Sequence, residues 1–480
     1  MDKYLEILGD FFDTFIFYYA LSLCFSYFAL AIISAIEMRH YLKKNSFIDY
    51  RTILSSHLQP SISLIAPAYN EGANIVENIR SLMSIHYGNF EVLIINDGSK
   101  DDSMEKMIES YELELVDYAV NHQIKTKPIR GVYKSRNSAF NKLIVIDKEN
   151  GGKADALNVG LNISSSDLVA CVDVDCVIEQ DALVKMVKPF IEEDTRVIAT
   201  GGVVRIANSC EIENGKLMKI NLPDELLPRI QVVEYIRAFL MGRMAWSRLN
   251  GLLLISGAFG LFDREIAVKA GGYNHKTVGE DMELVVRMRI WCHDNDIKYR
   301  VVYIPDPLCW TEAPNNTKIL SRQRNRWARG TAETLWIHRK IFMNPKYGSL
   351  GIVSYTFWLM YEWLAPFIEF FGVMFYIILA ILGFSTWEFF IMIISLIYVF
   401  AVLMSTSAVL FEEMSYHQYK NRRDMIRLIA TGMIEPIIYH PLTVKWSLEG
   451  NIDLLTGKKT WGEMTRQGLG KKKEAKTTVV

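Results

Sequence analysis

An α/β domain built on a parallel sheet, held at a membrane by transmembrane and interfacial α-helices, is the fold class this sequence predicts. Short β-branched runs alternate with helical stretches between residues 61 and 172, the pattern of strand–helix–strand units. Two further runs, Phe15–Ile36 and Phe389–Phe411, contain no charged residue and are each long enough to cross ~30 Å of hydrocarbon. Half of the 480 residues are hydrophobic, which suits a large core plus membrane spans.

The first apolar run follows Asp2, Glu6, Asp10 and Asp13 rather than a basic region, so it reads as an anchor and not as a cleaved signal peptide. Arg39, His40, Lys43 and Lys44 come after it. Positive charge collects on the inner side, which predicts an external N-terminus, a cytosolic middle segment and a multi-pass protein of the cell (inner) membrane.

Beyond a linker ending near Pro60, Ser61–Ala66 reads as a strand that stops at Pro67. Strand runs at Val92–Ile95, Leu143–Ile146 and Leu168–Val172 alternate with helical patterns at Asn74–Ile85, Asp102–Tyr111 and Ala154–Ile163. A parallel sheet of this kind binds ligands outside the carboxyl ends of its strands. Glu112–Asn141 is longer than a usual connection and predicts an elaborated surface loop or an added strand pair. In Arg229–Leu254, Arg237, Arg243 and Arg248 interrupt an apolar helical run, as in an interfacial helix, a buried soluble helix being the alternative.

From Ile352 onward apolar character is sustained, with Glu362, Pro366 and Glu369 preceding the uncharged run Phe370–Trp387. This predicts an interfacial helix leading into a span. Met425–Leu448 carries Arg427, Glu435, Pro436, His440 and Pro441 and reads as a third carboxy-terminal span lining a channel or as a re-entrant or interfacial piece. The division expected is 1–40 for an N-terminal transmembrane helix, 41–340 for a cytosolic catalytic domain with interfacial helices, 341–450 for transmembrane and interfacial helices, and 451–480 for a basic tail with Lys471–Lys473 and Lys476. A net charge of −1 gives no sign of a nucleic-acid partner. Six scattered cysteines lack the paired spacing of a zinc site.

Chemistry concentrates at the strand ends. The first strand runs into Pro67-Ala68-Tyr69-Asn70-Glu71 and the second into Asn96-Asp97-Gly98-Ser99, either of which alone is also ordinary turn chemistry. The fourth runs into Asp173-Val174-Asp175, whose spacing of two turns both carboxylates to one side of an extended segment. Hard oxygen ligands of this type suit Mg²⁺ or Mn²⁺. Gly151-Gly152-Lys153 precedes a helix, where backbone N–H groups and an ammonium can meet a diphosphate. Gly279-Glu280-Asp281 opens the helix Met282–Trp291, and Gln323-Arg324-Asn325-Arg326-Trp327-Ala328-Arg329 is a basic helical stretch carrying one tryptophan.

Taken together and in this order, the NDGS, GGK, DxD, GED and QxxRW elements resemble the processive family 2 glycosyltransferases of GT-A (Rossmann-like) fold, the group of cellulose, hyaluronan, chitin and poly-N-acetylglucosamine synthases. The resemblance covers roughly Pro60–Trp327. It implies that Tyr69, Glu71 and Asp97 hold the uracil and ribose, that Lys153 lies near the diphosphate, and that Asp173 and Asp175 contact UDP and its Mg²⁺ or Mn²⁺. It makes Asp281 the catalytic base beside Glu280, and gives Gln323, Arg326 and Trp327 to the departing diphosphate and acceptor sugar. Ser256-Gly257-Ala258 matches the acceptor-side segment, with Gly257 permitting close approach. The departures are GED in place of TED and the insertion at 112–141.

The resemblance therefore implies an inverting synthase that takes a UDP-sugar, UDP-N-acetylglucosamine by the GGKADALN segment, extends a β-linked glycan acceptor and exports it across the lipid membrane, with polysaccharide export proteins as partners. The alternatives are a non-processive membrane transferase that adds one sugar to a lipid or short glycan, and an inactive receptor or scaffold retaining the fold.

Overall fold

The computed structural model describes residues 2–45, 50–54, 56, 59–213, 215–383 and 387–458; Lys471–Lys473 and Lys476 of the basic tail lie outside them. The strands are β1 (Ile62–Ala68), β2 (Phe90–Asn96), β3 (Leu113–Val116), β4 (Ile129–Ser135), β5 (Leu143–Lys148), β6 (Leu168–Val172), β7 (Val177–Ile178), β8 (Arg196–Ile206), β9 (Glu211–Glu213), β10 (Lys216–Lys219), β11 (Phe259–Asp263) and β12 (Tyr299–Thr311). All but the β9–β10 hairpin form one sheet in the order β3-β4-β5-β2-β1-β6-β11-β8-β12-β7.

The four strands read from the sequence form the parallel centre, β5-β2-β1-β6, with Ala68 opposite Asn96 and Ile62 opposite Leu168. A wholly parallel sheet is corrected here: β11 runs antiparallel to both β6 and β8, and β4 runs antiparallel to β5. Residues 112–141 hold the added strand pair, β3 and β4. The central strands are buried on both faces because helices cover them. Helix Ile75–Met83 buries Ile75, Ile79 and Leu82 along one stripe. Helix Lys153–Ile163 is buried from Ala154 to Ile163 and packs on β1 and β2.

The amino-terminal helix runs from Asp2 to Asn45, about 66 Å at 1.5 Å per residue, twice the hydrocarbon thickness. Its second half is docked on the α/β domain. Ser34 Oγ donates to the Leu240 carbonyl at 2.5 Å, Tyr41 Oη to Asp306 at 2.5 Å, and Glu37 pairs with Arg248 at 2.7 Å. Residues 229–254 form a helix only as far as Arg248, with a π-helical stretch at Arg237–Arg243; Leu249–Ser256 leaves the helix and leads into β11.

Among the described residues, two helices are long and apolar enough to cross a membrane, Phe11–Asn45 and Phe390–Ser415, and the pair Leu350–Trp363 and Ala365–Ile381 qualifies together but bends by 42°. Outward residues such as Phe25, Ile36, Ile391 and Val399 are exposed, as lipid-facing positions would be. In the run read as Phe370–Trp387 the first helix ends at Ile381 and Trp387 opens the next, Trp387–Ser415, with residues 384–386 outside the described residues. Met425–Leu448 resolves into two helices, Arg422–Ile438 and His440–Leu455, meeting at Tyr439. The first packs on helices Trp387–Ser415 and Leu226–Ile236, the second on helix Thr317–Ile337. Packing also runs across residue 340, where Ile341, Tyr347, Leu350 and Tyr355 share a cluster with Met282, Val286 and Leu335.

One joint between the sheet and the apolar helices is ionic. Arg205 at the end of β8 pairs with Glu412, each 3% exposed. Removing one member strands the other charge away from water, at ~3–5 kcal/mol. Glu412→Ala is therefore expected to lower the melting temperature of the detergent-solubilised protein clearly, by several degrees, whereas Arg205→Met with Glu412→Leu together recovers most of the loss in a thermal-shift assay.

Candidate active site

The carboxyl ends of β1, β2 and β6 lie side by side, so Tyr69, Glu71, Asp97 and Asp173 meet at one edge of the sheet because of its register. Asn70 takes a left-handed backbone, φ 56°, its amide donates to Ser99 Oγ at 3.0 Å and its side chain accepts from the Lys100 amide at 2.8 Å. The loops after β1 and β2 are thus tied together, with Tyr69 45% exposed on their rim.

Asp97 is buried and fully engaged. Its carboxylate accepts from Lys148 Nζ at 2.6 Å and from the backbone amides of Gly151 and Gly152 at 2.9 and 2.8 Å. Lys148 has no exposed side-chain surface and also pairs with Asp155 at 2.8 Å. These bonds fix the Gly151-Gly152-Lys153 turn against the second strand end. Lys148, which sequence reasoning missed, has only its place at the end of β5 as a signal.

Lys153 reaches into the site and pairs with Asp173, and its Nζ also donates to the Gly257 carbonyl at 3.2 Å. Burial works against the Lys153 charge, but Asp173 and Glu280 outweigh it and its pKa is raised. Asp281 accepts from the Gly257 amide at 3.0 Å with Oδ2 and from the Met282 amide at 2.8 Å with Oδ1. A Cβ on Gly257 would stand 3.2 Å from both Asp281 Oδ2 and Lys153 Nζ. Its absence lets the carboxylate reach the amide and the ammonium reach the carbonyl of one residue. Burial pushes the neighbouring Glu280 carboxyl up, against the pull of Lys153 and with a smaller push from Asp281.

Asp173, Asp175 and Cys176 bring one ligand atom each within 4.8 Å of one another. The two carboxylates are a donor set for a hard divalent cation. A hydrogen bond with Cys309 and burial push the Cys176 thiol well up, and sulfur is a softer donor than the oxygens such a cation prefers.

Helix Thr317–Ile337 closes the site from the far side. Gln323 and Arg326 line it, and Trp327, 40% exposed, is stacked by the Arg324 guanidinium at 4.1 Å. Arg324 is held in turn by Glu234 at 2.6 Å and Tyr439 Oη at 3.0 Å. Asn325 donates to Asp453 at 3.0 Å. The carboxy-terminal helices therefore brace the helix that carries the tryptophan.

A single cavity of about 730 Å³ gathers Lys153, Asp173, Gly257, Glu280, Asp281, Gln323, Arg326 and Trp327. Tyr69, Glu71, Asp97 and Asp175 do not line it and sit at the adjoining strand ends. The same cavity continues to Tyr27 and Leu30 of the amino-terminal helix, Pro366, Met404 and Glu435. The arrangement can hold a cation and a diphosphate on one side, and a hydroxyl nucleophile beside Asp281 on the other.

The chain matches Glycosyl transferase family 2 over residues 63–266 and Glycosyl transferase family group 2 over residues 223–404. Poly-beta-1,6-N-acetyl-D-glucosamine synthases of Staphylococcus epidermidis and Staphylococcus aureus (strain COL) are 29% and 28% identical over 297 and 300 residues, 62% of this chain. The chain spans about 60% of the length of those curated relatives. A mannosyltransferase from Pyrobaculum calidifontis, solved with GDP-Man and Mn²⁺, is similar with a TM-score of 0.53 at 16% identity, over 92% of this chain and 100% of that one; at that identity the likeness is one of fold. The two family matches together run from residue 63 to residue 404, over a sheet whose parallel centre sets the ends of β1, β2 and β6 side by side: the chain belongs to the family 2 glycosyltransferases and has the GT-A fold.

Proposed function

We propose that this chain is an inverting polysaccharide synthase that transfers a sugar from a UDP-sugar, UDP-N-acetylglucosamine, to a growing β-linked glycan and passes the product across the membrane in which its apolar helices sit. The observation that carries the reading is the continuity of the cavity. One space is lined by Asp281, Arg326 and Trp327 and also by Leu30, Met404 and Glu435 of the helices that flank the catalytic domain. An enzyme that adds one sugar to a soluble acceptor has no need of a cavity leading in among such helices, whereas a growing chain must leave past them. The similarity to the two staphylococcal synthases supports the sugar.

In this reading Tyr69 and Glu71 face the nucleoside and Asp97 fixes the loop that meets the diphosphate. Asp173 and Asp175 would hold Mg²⁺ or Mn²⁺, which when bound neutralises the donor's two phosphates. Lys153 and Arg326 add positive charge to the departing UDP. Asp281 takes the proton of the acceptor hydroxyl as that oxygen attacks the anomeric carbon from the face opposite UDP, which inverts configuration. Trp327 offers a flat apolar face on which a pyranose ring can stack.

The test is UDP release by detergent-purified protein with Mg²⁺ or Mn²⁺ against a panel of UDP-sugars, with products resolved by size. High-mass product from UDP-N-acetylglucosamine is the expected outcome. Short product alone would replace the synthase reading with single transfer, and UDP binding without turnover would replace it with an inactive scaffold.

A further inference from the structure

Asp281 opens the helix Glu280–Asp294, yet that helix start is poorly secured by its own residues. Gly279 occupies the cap position with φ −115° and ψ 51° and makes no side-chain capping bond. The Gly257 and Met282 amides hold the Asp281 carboxylate itself, but the first amides of a helix have no partner within it, so the loop at 277–281 depends on contacts from outside it.

Helix Thr317–Ile337 supplies them. Arg326, Gly330 and Glu333 are spaced by four and three residues and lie along one stripe of that helix. Gly330 meets Gly279 at backbone contact. A Cβ on Gly279 would stand 2.7 Å from Gly330 Cα, and one on Gly330 would stand 2.8 Å from Gly279 Cα. One turn on, Glu333 Oε2 accepts from Thr277 Oγ1 at 2.6 Å and from the Val278 amide at 2.8 Å, and Thr277 Oγ1 accepts from the Gly279 amide at 3.1 Å. Thr277 is 8% exposed, which protects these bonds from competition with water.

We propose that Glu333 is a positioning residue that locks the 277–281 loop, and with it Asp281, to the helix bearing Gln323, Arg326 and Trp327. The inference rests on Asp281 being the base. Two points of attachment, the glycine pair and the Glu333 carboxylate, fix the loop in both distance and rotation, so the proton acceptor and the groups facing the diphosphate keep one spacing. Thr277 thereby stands in for the threonine that GED lacks relative to TED, two residues earlier and acting through the backbone. The side chain at 279 is excluded by the neighbouring helix.

The test is steady-state kinetics of the full-length protein in detergent, with UDP–Mn²⁺ affinity and melting temperature measured on the same preparations. Glu333→Ala is expected to lower kcat by about 100-fold while donor KM and UDP affinity stay within about twofold. Glu333→Gln keeps an oxygen of the same reach that accepts both bonds and should recover most of the turnover. Thr277→Val leaves the Val278 amide bonded to Glu333 and should lower kcat in the same way but by less, about tenfold, Thr277→Ser should be near wild type, and the double variant should lose no more than Glu333→Ala alone, because the pair acts as a unit. Wild-type kcat in Glu333→Ala, or a parallel loss of UDP affinity, overturns the proposal. Where Glu333→Ala does not purify folded, the Thr277→Val and Thr277→Ser comparison decides it alone. Asp281→Asn is run beside them: full activity there removes the base assignment, whereas an inactive Asp281→Asn with a fully active Glu333→Ala removes only the positioning role.

Discussion

Asp281→Asn is expected to abolish sugar transfer while UDP still binds with wild-type affinity. The amide has the size of the carboxylate and keeps one oxygen, so it can accept from either the Gly257 or the Met282 amide, the two donors that hold Asp281 now. The other donor loses its acceptor, at roughly 1 kcal/mol. That cost is small against the loss of a group able to take a proton, which supplies typically ~10²–10⁴ in rate. UDP affinity is expected to hold because, in the proposed reading, the nucleotide meets the ends of β1, β2 and β6, the Lys153 turn and Arg326, none of which changes. Radiolabelled sugar incorporation beside calorimetric UDP titration separates the two effects. Activity within tenfold of wild type would move the base elsewhere, and Glu280 is the neighbouring carboxyl group in the same cavity, one that burial already biases toward the protonated form.

The parallel centre of the sheet was legible because each of its strands is a short apolar run followed by turn chemistry, and the motifs fall at those turns. The remainder depends on distant pairing. β12 contains Pro305 and Pro307, which argue against a strand when read locally, and the structure accommodates them with register shifts against β8 between Ile304 and Pro307 and between Pro307 and Cys309. β8 carries Gly201 and Gly202 in its middle, and it becomes a strand through neighbours more than 50 residues away. The carboxy-terminal helices were hard to place for a related reason. Arg427 and Glu435 look expensive in an apolar stretch, but Arg427 pairs with Asp224 at 3.0 Å and Glu435 with Arg237 at 2.8 Å, partners some 200 residues earlier in the chain.

The candidate site divides in the same way. Asp173 and Asp175 announce themselves as candidate ligands by type and spacing, whereas Asp281 and Trp327 were singled out through the resemblance that the motif order carries. Residues that act by holding others show neither signal. Asp97 stands in a recognisable NDGS turn, but its bonds to Lys148, Gly151 and Gly152 became visible only with the fold. Thr277 and Glu333 belong to no motif, and the 277–281 loop reaches backbone contact with helix Thr317–Ile337 where positions 279 and 330 are both glycine.

Asp175→Ala carries the second large expected effect, and it bears on binding rather than on proton transfer. Asp173 is already ion-paired with Lys153 and its amide donates to the Ala258 carbonyl at 3.2 Å, so replacing Asp173 disturbs the network around Gly257 together with any cation site. Asp175 stands two residues on, with a ligand oxygen within 4.8 Å of that of Asp173, and its truncation reports more directly on the cation. A diphosphate held by Lys153 and Arg326 alone keeps excess negative charge, since each phosphate oxygen left unneutralised in a low-dielectric site costs more than it would in water. UDP affinity measured with Mn²⁺ is expected to fall by about 100-fold or more, equivalent to ~3 kcal/mol, while the weak affinity measured with excess chelator is the same in variant and wild type. That equality is the discriminating part of the experiment. If Asp175→Ala weakens UDP binding equally with and without the cation, Asp175 acts by shaping the turn after β6 and the assignment of Asp173 and Asp175 as the cation's ligands fails, even though transfer would be lost in either case.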